Sequence, residues 1–237
     1  MVVERPKAAQ APISAVLCSG GLDSAVLVAH EAQTAAVQPL YISSLLAWET
    51  VERQYLTRFL DALRAPNPVR RWVELDCPVA DTYPRAHWAL TGAAPAYATA
   101  DEEVYLIGRN VLLLAKAAVY CALHRIERLV IGPLAGNPFP DATPEFLSAM
   151  ARALSLGLAA RIRIAAPFAA RHKAEVIRMA ADLGVPLEHT LSCMSPAGAL
   201  HCGRCSKCRE RLQAFDAAGV EDPAAYAFQP SDPATGA

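Results

Sequence analysis

A chain of 237 residues, 54% of them hydrophobic and 19% charged, can bury one sizeable core, with room for a small appendage. Its formal net charge of −1 gives no general attraction to nucleic acid, so nucleic acid is not an expected partner. The nearest approach to a membrane span, Val111–Cys121, is too short and contains Lys116; Met1–Ala11 is charged and lacks the apolar run of a secretory signal, so a cytoplasmic, reducing setting is expected.

Read in chain order, short apolar runs alternate with longer amphipathic ones. Ile13–Cys18 reads as a strand, Ser24–Gln33 as a helix and Val37–Ser43 as a second strand. Glu49–Leu63 places Val51, Tyr55, Phe59 and Leu63 four apart on one helical face, and Val69–Leu75 alternates as a third strand. Asp81–Ala98 carries Pro84, Gly92 and Pro95 and reads as a binding loop, followed by a helical region from Asp101 to His124 interrupted near Gly108. Arg128–Gly132 is a fourth strand, Pro144–Leu156 a helix, Arg161–Ala165 a fifth strand and Ala169–Leu183 a helix stopped by Gly184 and Pro186. Strands separated by helices predict an α/β fold, a parallel sheet with helices on both faces. Ligands of such sheets sit beyond the C-terminal strand ends, so Ser19–Ser24, Ser43–Glu49 and Gly132–Asp141 are expected to meet.

The first of these segments, Ser19-Gly20-Gly21-Leu22-Asp23-Ser24, joins the first strand to the first helix. Backbone N–H groups at a glycine turn opening a helix make a cavity suited to phosphate or pyrophosphate. Ser19 and Ser24 add hydroxyls, and Asp23 is placed either to cap the helix or to hold Mg²⁺. No lysine follows the glycines as in a Walker loop, and no G-x-G-x-x-G is present. The loop resembles the pyrophosphate loop (PP-loop) of the N-type ATP pyrophosphatases; a plain Ser-Gly-Gly turn capped by Asp23 is the alternative.

Near the other end, Cys193, Cys202, Cys205 and Cys208 follow C-x8-C-x2-C-x2-C, the spacing of a closed tetrahedral zinc site. Four thiolates leave no open position for water, so the metal is read as structural. Disulfides would need an oxidising compartment. His201 is either a substitute ligand or a polar neighbour of Cys202. Arg204, Lys207, Arg209 and Arg211 are placed to offset the thiolate charge. Cys18, Cys77 and Cys121 read as buried small hydrophobes.

These motifs occur in an order that resembles the 7-cyano-7-deazaguanine synthases, ATP-dependent nitrile-forming enzymes of queuosine biosynthesis. The likeness runs through SGGLDS, Gly108-Arg109-Asn110, Pro140-Asp141 with Pro144-Glu145-Phe146, and Pro167 with His172-Lys173-Ala174-Glu175-Val176. It continues through Thr190-Leu191-Ser192-Cys193 and His201 to Arg209, as far as Phe215. The resemblance implies an adenine nucleotide α-hydrolase-like domain over residues 12–190 and a zinc-binding segment over 191–221; the tail, 222–237, is rich in Pro and Ala and is expected to fray. It implies ATP, Mg²⁺ and Zn²⁺ as cofactors. Ser19, Gly20, Gly21, Leu22, Asp23, Ser24 and Asn110 would bind nucleotide. Asp23, Lys173 and Arg109 would be catalytic, with Lys173 reaching a phosphate, and the four cysteines would hold zinc. A solvated Lys173, and a helix start in which Asn110 caps and Arg109 pairs with Glu102 or Glu103, are the plainer readings.

The implied reaction is adenylation of a small-molecule carboxylate, then attack by ammonia to an amide, and a second adenylation to reach the nitrile. No glutamine-hydrolysing domain is apparent, and a homodimer is compatible with the reading. Two segments depart from the family. Ser43-Ser44-Leu45-Leu46-Ala47-Trp48-Glu49 stands where an aromatic–acidic–Gly-Gln-Arg-His run is usual, and Phe139-Pro140-Asp141-Ala142-Thr143 replaces Tyr-Pro-Asp-Cys-Arg. Both belong to the acceptor side, so a ligase for another carboxylate stays open. A tRNA-thiolating relative and a non-enzymatic zinc-bearing interaction protein are further alternatives.

Overall fold

The computed structural model of the protein describes residues 12–228. Five parallel strands, β1 (Ile13–Leu17), β2 (Ala36–Ser43), β3 (Val73–Asp76), β4 (Arg128–Val130) and β5 (Arg163–Ala165), form one sheet in the order β3-β2-β1-β4-β5. The chain builds outward from β1 to β3, then returns to the other side of β1 for β4. That reversal opens a crevice beyond the C-terminal ends of β1 and β4.

Alternation along the central strands divides the core between two faces. Val16, Cys18 and Val130 face α1 (Leu22–Glu31), α2 (Glu49–Ala62), α6 (Lys173–Asp182) and α7 (Ser206–Ala218). Ala15, Leu17, Leu129 and Ile131 face α4 (Arg109–His124) and α5 (Pro144–Gly157). A one-turn helix, α3 (Trp88–Thr91), lies in the predicted binding loop and adds Trp88 to a smaller apolar cluster with Leu46, Trp48, Val104, Leu106 and Met194. Between β1 and β4, buried Glu31 accepts from Arg128 at 2.7 Å and from Ser14 Oγ at 2.7 Å. The neighbouring Arg128 holds its carboxyl below the usual range against the opposing effect of burial.

Several boundaries differ from the periodicity for local reasons. Helix α1 begins at Leu22, because Gly21 is the last extended residue. Helix α6 begins at Lys173, not Ala169: Glu175 Oε2 accepts from His172 N at 2.7 Å, a capping box that fixes the start. The third strand is regular only from Val73; Val69 makes a single bridge to Val37, and Gln38 Nε2 takes up the Arg71 carbonyl at 3.0 Å. Asp101–Val104 is a 3₁₀ turn, and Gly108 at φ 75° restarts the chain as α4. The expected fraying after Glu221 does not apply to residues 222–228. Asp222 pairs with Arg211, Tyr226 bridges His201, and Phe228 lies 3.4 Å under the Arg204 guanidinium. Residues 229–237 of that tail, and Met1–Ala11, lie outside the described residues.

Candidate active site

The Ser19–Ser24 loop leaves β1 and enters α1 at the floor of the crevice. Ser24 Oγ donates to Gly21 O at 2.9 Å and accepts from Ser19 N at 3.3 Å, while Gly21 N donates to Ser19 Oγ at 3.2 Å. These bonds hold the loop open as an arc rather than letting it close on itself. Gly20, at φ +81°, packs so tightly on α2 that a Cβ would sit 2.9 Å from Leu56 N. Its carbonyl accepts from Leu191 N at 2.9 Å, tying the loop to the chain leading into the cysteine cluster.

A cavity of about 710 Å³ opens above the loop. Ser19, Gly21, Leu22, Asp23 and Ser24 line it, while Gly20 does not, its role being to bring the loop against α2. Trp48 from the second expected segment and Gly132–Asp141 from the third also line it, so the predicted convergence holds. Arg109, Asn110 and Lys173 reach the same space.

Asp23 does not cap α1, which lacks a side-chain cap. Its Oδ2 lies 3.3 Å from Lys173 Nζ; its Oδ1 is buried with no partner among the described residues. Lys173 is not a solvated lysine: its ammonium also bonds Glu210, which accepts from Lys207 at 2.6 Å. Burial alone would lower the Lys173 pKa, but Asp23 and Glu210 outweigh it and hold the ammonium above its ordinary value. The two lysines in turn bring Glu210 down to about 2 against its burial. This charged row lies beside the loop amides, where a polyanion would need cations.

Asn110 is not the cap of α4, which is Gly108. Its backbone N donates to Asp141 Oδ2 at 2.9 Å and its side-chain amide to Asp141 Oδ1 at 3.2 Å, locking two motif segments together. Arg109 forms no ion pair with Glu102 or Glu103 among the described residues; it faces the cavity. Aromatic pairs wall the cavity: Trp48 and Trp88 stack at 5.8 Å, Tyr105 and Phe139 at 4.9 Å. Sequence reasoning missed Glu52, Glu210 and Gln213, which also line the cavity. Helical spacing put Glu52 on α2, but only the packing of α2 against Gly20 aims it inward.

The four cysteine sulfurs lie within 4.8 Å of one another. Separations of 3.6 Å (Cys205–Cys208) and 3.9 Å (Cys202–Cys208 and Cys193–Cys205) match the edge of a tetrahedron around zinc, about 3.8 Å for Zn–S bonds of about 2.3 Å. Backbone N–H groups of Ser195 and Cys202 donate to Cys193 Sγ, and Arg204 N donates to Cys202 Sγ, each at 3.3 Å. These donors, rather than the expected cationic shell, sit closest to the sulfurs. Arg211 is committed to Asp222, Arg209 to Asp101 and Lys207 to Glu210. His201 stands outside the sulfur cluster: its Nε2 accepts from Ser192 N at 3.1 Å, and its ring lies between Tyr55 and Tyr226. Burial, with Arg211, lowers its pKa to about 4 and keeps it neutral. The donor set fits a four-thiolate zinc.

The family model described as "Queuosine biosynthesis protein QueC" matches residues 13–219. The 7-cyano-7-deazaguanine synthase of Methanopyrus kandleri is 33% identical, covering 89% of this chain and 97% of that protein. Synthases of the same name from Halobacterium salinarum and Caldicellulosiruptor saccharolyticus are 34% and 28% identical, over 91% and 90% of this chain. A parallel sheet with its crevice at the β1–β4 reversal, a Ser-Gly-Gly loop at the floor, a Cys₄ cluster beside it and a match over nearly the whole chain together make this protein a member of the QueC family, with the adenine nucleotide α-hydrolase-like fold.

Proposed function

We propose that the protein activates a small-molecule carboxylate with ATP, releasing pyrophosphate, and passes the acyl-adenylate to ammonia, with 7-carboxy-7-deazaguanine as the acceptor. The observation that carries this is one cavity lined by the PP-loop, Lys173, Arg109 and the aromatic pairs. A carboxylate is a poor electrophile because oxide would have to leave; adenylation makes AMP the leaving group. Ser19, Gly21, Leu22, Asp23 and Ser24 surround the pyrophosphate, with Gly20 shaping the turn, and Lys173 offsets its charge. The orphaned Oδ1 of Asp23 fits a Mg²⁺ ligand, and that ion would supply further charge stabilisation on the phosphates. Arg109 pairs with the acceptor carboxylate, and Asn110, fixed by Asp141, shapes the nucleotide edge. The Trp48–Trp88 and Tyr105–Phe139 walls suit a flat heterocycle. Amide activated a second time would dehydrate to the nitrile, the product that gives the relatives their name.

The cysteine cluster holds zinc structurally. Residues 12–190 form the ATP domain and 191–221 the zinc segment, in a cytoplasmic enzyme that can pair as a homodimer. Thiolation is disfavoured by Cys18, whose buried thiol is pushed up to about 11 and is a poor sulfur carrier.

A different acceptor is favoured by one feature: Ser43–Glu49 after β2 holds no Lys, Arg or His, and its Glu49 carboxylate accepts from Ser43 Oγ, Ser44 N and Leu45 N. Product analysis of ATP separates the classes. AMP and pyrophosphate, formed only with a carboxylate and lost about 100-fold or more in Asp23→Asn at unchanged thermal stability, are expected. ADP and phosphate would refute the pyrophosphatase reading.

A further inference from the structure

Among the described residues four carboxylates are buried, Glu31, Glu49, Glu52 and Asp141. Three are fully bonded: Glu31 by Arg128 and Ser14, Glu49 by Ser43, Ser44 and Leu45, and Asp141 by Asn110. Glu52 differs. Its Oε2 accepts from Tyr41 O–H at 2.8 Å, and its Oε1 has no hydrogen-bond partner and no cation within 4.0 Å among the described residues. It is also the member of the four that joins Asp141 on the cavity wall, and its own backbone carbonyl is part of the α2 surface that Gly20 of the PP-loop abuts. A buried carboxylate with one empty acceptor position, held in place by a neutral donor and opening on a reaction chamber, is built to take up a proton.

The reaction proposed above needs such a group. Ammonia at neutral pH is mostly ammonium, which has no lone pair to attack with. We infer that Glu52 accepts a proton from ammonium and so supplies the nitrogen nucleophile; this rests on the function proposed above. An N–H bond of ammonium breaks, its electron pair staying on nitrogen, and the proton passes to Glu52 Oε1. The lone pair forms the C–N bond to the acyl carbon while the C–O bond to AMP breaks, its electrons leaving with AMP. The surplus proton on the new amide nitrogen goes to water, and Glu52 returns its own to solvent through the cavity. Acyl-adenylate and ammonium thus give amide, AMP and two protons.

The groups around Glu52 set its readiness. Burial pushes its carboxyl up to about 7; Arg109 from α4, Tyr41 from β2 and Arg53 from α2 pull down, and Glu49 from α2 pushes up. Cys18 at the end of β1 faces it and stays a neutral thiol. Tyr41 is itself held protonated by burial and by the two glutamates, so it remains a donor to Glu52.

The test uses the full-length zinc-loaded enzyme and Glu52→Gln, with 7-carboxy-7-deazaguanine, ATP and Mg²⁺. Three readouts are compared: carboxylate-dependent ATP–pyrophosphate exchange without nitrogen, turnover with ammonium chloride, and turnover with hydroxylamine, which is largely neutral at neutral pH. The inference expects the variant to exchange like wild type, to lose ammonium-dependent turnover by about 100-fold or more at neutral pH, and to recover with hydroxylamine. Against total ammonium, wild-type rate should level off above about pH 7, whereas Glu52→Gln should keep rising about tenfold per pH unit as free ammonia appears. Equal loss with both nucleophiles, or loss of exchange, would overturn the inference and make Glu52 a binding or structural residue. No exchange in wild type would overturn the function reading itself, and this inference with it.

Discussion

At the residue scale the site depends on backbone as much as on side chains. Gly20 contributes no wall to the cavity, yet it meets two conditions that other residues fail: φ is +81°, and a Cβ there would lie 2.9 Å from Leu56 N. Gly20→Ala should therefore cost about 1–3 kcal/mol, seen as a lowered Tm, and should displace the loop from α2. An unchanged Tm would show that the loop relaxes without α2. The motif made this loop legible, because glycines between a strand and a helix have a physical meaning at fixed spacing. The roles of Asp23 and Lys173 were half legible: their presence could be read, but their ion pair joins residues 150 positions apart and comes only from the packing of α6 on α1. Glu52 was illegible, since a glutamate on an amphipathic helix looks like a solvated face until the opposite wall is known. Arg109 was legible only through its Gly108-Arg109-Asn110 motif, since local spacing offered pairing with Glu102 or Glu103 equally well; it lines the cavity instead.

At the element scale the cysteine-bearing segment is part of the site wall. Leu191 bonds the PP-loop, Tyr55 O–H donates to Ala199 O at 2.6 Å, and α7 sends Lys207, Glu210 and Gln213 to the cavity. Buried Arg211 holds the base of α7 through Asp222, Thr190 and the Leu187 carbonyl. Removing a thiolate should thus act at a distance. Elemental analysis is expected to find one zinc per chain, and Cys208→Ser is expected to abolish it, to expose residues 191–221 to protease, and to weaken nucleotide binding, since Glu210 lies on the same helix. Retained zinc in that variant would place the metal elsewhere. The cysteine spacing announced this element unaided. The charges around it misled, because basic residues beside thiolates look like counter-charges in sequence but find carboxylates closer in space, Asp222, Asp101 and Glu210. Strand and helix existence followed from periodicity, while boundaries moved wherever a side chain competed with the backbone, as Glu175 does at α6 and Gln38 does at β3.

At the scale of the whole molecule, the order β3-β2-β1-β4-β5 explains why distant motifs converge: the reversal at β1 leaves one crevice, and the segments after β1, β2 and β4 all open on it. Parallel topology was readable from alternation, and strand order was not, because periodicity does not say which strands are neighbours. The Ser19–Ser24 loop carries the motif on which the family resemblance rests, whereas Ser43–Glu49 departs from it, with Glu49 folded back on its own segment and aromatic pairs walling the cavity. The proposed acceptor requires that Arg109 and the aromatic pairs, which line the cavity, supply its contacts. The direct measurement is mass spectrometry of the zinc-loaded protein incubated with 7-carboxy-7-deazaguanine, ATP, Mg²⁺ and ammonium. Amide or nitrile is expected together with AMP; unchanged 7-carboxy-7-deazaguanine, from protein that releases AMP with another carboxylate, would refute the proposed acceptor.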